Sequence, residues 1–182
     1  MNTFIAILRG INVSGAKPIK MDDLRKTFKS LGFEKVTTYI QSGNVVFTAT
    51  ESPASVLTLK IQDKISKDYG FDVPVIVLTY KELQNLFFNN PLNDGTRETE
   101  FLHITVLSEL PDDYNLREIE SKKQRNEEIV ILERFVYLYC PHGYGKTKLN
   151  NNFLESKLKV AATTRNWKTA GELLKIAKNT EV

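Results

Sequence analysis

Four segments carry the side chains best suited to chemistry. In His142-Gly143-Tyr144-Gly145-Lys146-Thr147-Lys148, glycines, lysines and hydroxyls lie between a strand ending at Cys140 and a helix beginning near Asn150. Backbone N–H groups of such a loop, beside a helix N-terminus, can cradle an anion, with Tyr144, Lys146 and Lys148 adding side-chain contacts. The loop is not a Walker A sequence, which needs a glycine five positions before its Gly-Lys, where Cys140 stands. The second segment runs from Arg9 to Lys20. Arg9 offers a planar fork suited to phosphate or carboxylate, Asn12, Lys17 and Lys20 follow, and Gly10 and Gly15 permit positive φ. An internal ion pair from Arg9 to the acidic middle of the chain is the competing reading. The third, Thr163-Thr164-Arg165-Asn166-Trp167-Lys168, reads as the start of the last helix, where hydroxyls and Arg165 can meet a phosphate and Trp167 a base. Trp167, Ala170, Leu174 and Ala177 also share one helical face, which places Trp167 in the core, and Thr163 or Thr164 can serve as a helix cap. The fourth is the first hairpin, where Tyr39 and Gln41, two apart on one strand face, add a polar surface and Asn44 serves the turn.

Other chemistries lack their residues. His103 and His142 have no metal-ligand spacing with the single cysteine, so neither a metal nor a cofactor is expected. Gln41-Ser42-Gly43 lies between two strands, whereas a nucleophile elbow needs Gly-x-Ser-x-Gly between a strand and a helix, so Ser42 reads as a turn residue.

The chain has 182 residues, 41% of them hydrophobic, enough for one ordinary domain or two small ones. No apolar run is long enough to span a membrane, the segment Met1–Leu8 is too short for a signal peptide, and Cys140 has no partner for a disulfide, so a cytoplasmic home is expected. Net charge is only +3, yet residues 1–30 carry +4 and residues 140–182 carry +5, leaving an acidic centre. Basic ends that meet in space form a positive face; otherwise the charges are spread over solvated helices.

The elements that must position these segments alternate in a definite order. Thr3–Leu8 reads as a strand; Met21, Leu24, Phe28 and Leu31 recur at helical spacing and Gly32 ends that helix. Val36–Gln41 and Val45–Ala49 form a hairpin about Ser42-Gly43-Asn44, and Ser52-Pro53 opens a helix lined by Leu57, Ile61 and Ile65 that closes at Gly70. Val73–Leu78 follows, completing β-α-β-β-α-β. Thr79 and Glu82 predict a capping box before Leu83, Leu86 and Phe87. Pro91–Thr99 reads as a loop, 101–107 as a strand, 111–125 as a weak charged helix, 129–132 and 135–140 as strands, and 151–159 and 166–178 as helices. The expected fold is α+β: two ferredoxin-like βαββα units, 1–80 and 81–182, packed together with mostly antiparallel sheets.

The blocks Leu8-Arg9-Gly10-Ile11-Asn12-Val13, Tyr39 to Phe47, Gly143 to Leu149 and Ala161 to Trp167, with Phe71-Asp72-Val73-Pro74-Val75, resemble the hallmark blocks of the bacterial domain-of-unknown-function 1697 family. They run in family order over almost the whole chain, with Ser14 standing where the family usually has glycine. The resemblance implies an α+β fold with duplicated ferredoxin-like halves and brings no activity or catalytic residue.

Three functions remain in view. The first is binding of an anionic ligand, nucleic acid or a nucleotide, through Arg9, Asn12, Tyr39, Gln41, Tyr144, Lys146, Lys148 and Arg165. The second is an enzyme acting on a small phosphorylated or carboxylated metabolite, with Arg9 and Arg165 clamping the anion. The third is a protein-interaction module that covers its basic face with a partner.

Overall fold

The computed structural model describes residues 1–50 and 53–181. Within them the chain forms two compact units, Met1–Asn85 with Glu172–Val182, and Leu86–Gly171. Unit 1 contains β1 (Asn2–Leu8), α1 (Met21–Ser30), β2 (Glu34–Tyr39), β3 (Asn44–Ala49), α2 (Ala54–Tyr69) and β4 (Val75–Thr79). After α3 (Tyr80–Phe88), unit 2 contains β5 (Leu102–Leu107), α4 (Leu116–Glu120), β6 (Glu128–Leu132), β7 (Phe135–Tyr139), α5 (Asn151–Leu158) and β8 (Ala162–Asn166), and α6 (Trp167–Thr180) follows.

Each unit holds one four-stranded antiparallel sheet, ordered β2-β3-β1-β4 and β6-β7-β5-β8. In unit 1, Ile5 of the central strand faces Val46 on one side and Leu78 on the other. Phe4, Ala6 and Leu8 pack against Leu24 and Phe28 of α1 and Leu57, Ile61 and Ile65 of α2. The Phe33 and Phe47 rings stack there with centroids 4.6 Å apart. In unit 2, Leu107, Val136 and Leu138 meet Ile119 of α4 and Leu154 and Leu158 of α5.

Local chemistry sets several boundaries as the sequence implies. Gly32 (φ 81°) and Gly70 (φ 77°) adopt the left-handed conformation that ends α1 and α2. The Thr79–Glu82 box forms: the Thr79 amide and hydroxyl both donate to Glu82 Oε2, at 2.8 and 2.9 Å, and the Glu82 amide returns a bond to Thr79 Oγ1. At α2, Pro53 occupies the N-cap and the helix begins at Ala54, while the Ser52 cap lies outside the described residues.

Elsewhere the structure departs from expectation. Ala162–Asn166 is a strand paired with β5, not a helix start. Its Thr-Thr pair, read as a cap, suits a strand equally well, and the cap of α6 is Asn166, whose Oδ1 accepts from the Thr169 amide at 2.8 Å. The charged stretch 111–125 yields only the short α4, which starts at the Asn115 cap. The first hairpin ends its leading strand at Tyr39 because Ile40 turns left-handed (φ 47°), so Gln41 lies in the turn and shares no strand face with Tyr39.

The 91–99 loop holds an ion-pair cluster that its composition does not announce. Arg97 binds Glu128 of β6 through two parallel bonds of 2.7 Å and reaches Asp94 at 2.9 Å, while the Tyr139 hydroxyl donates to Glu98 at 2.6 Å. The Arg97 guanidinium holds Glu128 below the usual carboxylate range, and bonds from Thr96 and then Arg97 do the same to Asp94.

Two outcomes are expected. Gly43 (φ 86°) lies against β1, where an added Cβ meets Leu8 Cβ at 2.7 Å and Ile11 Cδ1 at 2.9 Å, whereas nothing lies within 4 Å of one added at Gly32. Urea unfolding should show Gly43→Ala losing about 2–5 kcal/mol and Gly32→Ala only about 1–2 kcal/mol, the cost of the left-handed backbone alone; equal losses contradict the close approach. Carboxylates with depressed values in the folded state contribute stability above their unfolded values near 4, and that contribution is lost as pH falls through the folded values. The stability difference between wild type and Arg97→Ala should therefore be full at pH 6 and shrink below about pH 4; a difference independent of pH contradicts the cluster.

Candidate functional site

The Arg9–Lys20 loop in unit 1 is held by Asn12. Its Nδ2 donates to Ile19 O at 2.9 Å and Gln41 O at 3.0 Å, and its Oδ1 accepts from the Ile19 amide at 2.8 Å. That one side chain closes the loop and ties it to the hairpin turn, which demands left-handed backbone at Asn12 (φ 56°) and Ser14 (φ 50°). The Arg9 amide donates to Pro74 O at 2.9 Å. Tyr39 is half-buried at the end of β2 and the Gln41 side chain is exposed. A cleft of about 550 Å³ opens between loop and turn, lined by Asn12, Ile19, Lys20, Met21, Gln41 and Tyr69 among others.

In unit 2, Tyr144 opens a 3-10 turn, Tyr144–Lys146, and its ring lies flat against His103, centroids 4.9 Å apart. The Tyr144 hydroxyl donates to Thr164 Oγ1 at 3.1 Å, and Thr164 donates to Asn151 Oδ1 at 2.7 Å while meeting the Thr105 hydroxyl at 2.7 Å. Strand β8 and the first turn of α5 thus fix the head of the basic loop. Burial lowers the His103 pKa below its ordinary value, so the ring is neutral at pH 7, with Nδ1 3.2 Å from Phe101 O. Cys140 is buried, and burial followed by the charge of Glu127 pushes its thiol up to about 12, which removes it as a nucleophile.

Two bonds join this loop to the segment after α4. Gln124 Nε2 donates to Lys146 O at 2.7 Å, and His142 Nε2 lies 2.8 Å from Arg125 O. Lys122, Lys123 and Arg125 of one segment and Lys146 and Lys148 of the other are all exposed, and among the described residues none of the five makes a salt bridge. The first three escape a reading that assigns 111–125 to a helix; the signal was the Lys-Lys-Gln-Arg run itself.

Arg165 does not join Tyr144. Thr164 pairs with Thr105 and Arg165 with Ile104, so strand alternation sends Arg165 to the face opposite Thr164. Its Nη1 donates to Thr164 O at 2.9 Å, and burial lowers its pKa to about 10, leaving it charged at pH 7. Trp167 is core: it is 8% exposed and stacks on Phe87 with centroids 4.1 Å apart.

The family model described as "Protein of unknown function (DUF1697)" matches residues 1–137. A solved conserved bacterial protein from Streptococcus pneumoniae is similar over 97% of this chain and 98% of its own, with 23% identity and a TM-score of 0.74, a likeness of fold. No curated protein matches the chain.

The hydroxyl network at Thr164 yields its own test. Thr164→Val leaves Asn151 without that donor and removes the contacts of Thr164 with the Thr105 and Tyr144 hydroxyls, and should cost about 2–4 kcal/mol in urea unfolding, against about 1 kcal/mol for Tyr144→Phe. Equal costs contradict Thr164 as the hub.

Proposed function

This chain belongs to the DUF1697 family of proteins of unknown function, and from its own geometry we propose that it binds an anionic ligand, the phosphate backbone of a nucleic acid, through the two joined loops of unit 2. The observation that carries this reading is the set of five exposed cations, Lys122, Lys123, Arg125, Lys146 and Lys148, on two segments joined by the Gln124 and His142 bonds and without salt bridges among the described residues. Side chains spread over two surface loops suit an extended polyanion, which gains by releasing counterions at each phosphate it exchanges for a lysine or arginine. Tyr144, half-buried and braced on His103, stands at the head of the patch, its hydroxyl tied to Thr164. We take each unit as a ferredoxin-like scaffold, which its strand order suits, and the cytoplasm as its place, where the thiol of Cys140 stays reduced.

Fluorescence anisotropy of a labelled single-stranded oligonucleotide, titrated over a range of salt, tests this. Affinity should fall with salt along a log–log slope of about −2 to −4, as expected for three to five phosphate contacts. Lys146→Ala combined with Lys148→Ala should flatten that slope by about 1.4. Displacement by ATP moves the ligand class from polynucleotide to nucleotide. Absence of binding at low salt, or a double variant that binds like wild type, overturns the reading.

A further inference from the structure

We propose that the cleft of unit 1 is a separate binding site for a small organic anion with a compact apolar body. Its volume of about 550 Å³ is that of a small-molecule site, for which roughly 300–1,000 Å³ is typical. The walls are set in advance: two Asn12 bonds to Ile19 close the loop and a third, to Gln41 O, ties it to the hairpin turn, while the left-handed Ile40 (φ 47°) fixes where Gln41 stands. A β-branched residue adopts that backbone only where its surroundings enforce it.

The chemistry of the ligand follows from which groups are already committed. Asn12 spends both its amide nitrogen and its oxygen on the loop. The two carboxylates on the cleft wall are engaged by cations of their own helix, Asp22 by Arg25 and Asp23 by Lys26. The Tyr69 hydroxyl meets Thr27 Oγ1 at 3.1 Å, leaving its ring, stacked on Phe71, as wall. What remains for a guest is the Lys20 ammonium, without a partner among the described residues, and the exposed side-chain amide of Gln41, set beside the apolar surfaces of Met21 and Tyr69. A cation and an amide beside aromatic and thioether surface suit a carboxylate or phosphate monoester on a small ring or short chain. Lys20 binds the charge, Gln41 donates to a second oxygen, and the ring packs on Tyr69. This site is independent of the unit 2 interface, and either can fail alone.

The test is a ¹H–¹⁵N correlation titration of the full chain carrying Lys146→Ala and Lys148→Ala, which weakens the other basic surface, with phenyl phosphate and with neutral benzyl alcohol. Phenyl phosphate should give saturable shifts confined to residues 12–23, 41 and 69, benzyl alcohol should bind far more weakly, and adding Lys20→Ala should weaken phenyl phosphate about tenfold. Shifts absent from that set, benzyl alcohol binding as tightly as phenyl phosphate, or no effect of Lys20→Ala each overturn the proposal. None of these outcomes bears on oligonucleotide binding by the otherwise unaltered chain.

Discussion

Burial of the central strands on both faces governs where chemistry can occur in this protein. Every residue of β1 from Thr3 to Leu8 is buried, and in β5 only His103 is less than buried. Each of these strands has antiparallel neighbours on both edges, so its backbone groups are satisfied within the sheet. A charged side chain on such a strand meets a desolvation penalty that only a partner offsets. Neither strand carries a lysine, arginine or carboxylate, and both the basic patch and the cleft lie at strand ends and loops.

Amide side chains acting on distant backbone help to order both loops. Asn12 does this in unit 1 and Gln124 in unit 2, each bonding to a backbone carbonyl far along the chain. Such bonds confer position at small cost, because an amide side chain carries no charge to desolvate. They make two loose glycine-containing segments into surfaces with fixed geometry. The lysines around them keep their freedom at the tip and their registry at the base.

Elements whose signals are local were legible in the sequence. Gly32, Gly70 and the Thr79–Glu82 box each act within one turn of helix, and the apolar spacing of Leu24 and Phe28 marks a buried face directly. Strand β8 was not legible, because Thr163 and Thr164 before a helix fit a cap as well as a strand, and only pairing with β5 decides. The same pairing sends Arg165 to the face of β8 opposite Thr164 and the Tyr144 hydroxyl, a separation that residue spacing does not announce. Ser14 marks the limit from the other side: its left-handed backbone (φ 50°) explains why glycine suits that position, yet the loop closes on serine too because Asn12 supplies the bonds. The Arg97–Glu128 pair and the Gln124–Lys146 bond join segments remote in sequence, and no spacing rule reaches them.

The most direct measurement is lysine acetylation footprinting of the full chain with and without a single-stranded oligonucleotide at low salt, read by mass spectrometry. Protection concentrated at Lys122, Lys123, Lys146 and Lys148, with Lys26, Lys67 and Lys178 still reactive, is the predicted result. Uniform reactivity, or protection centred on other lysines, contradicts a phosphate-binding surface on the joined loops.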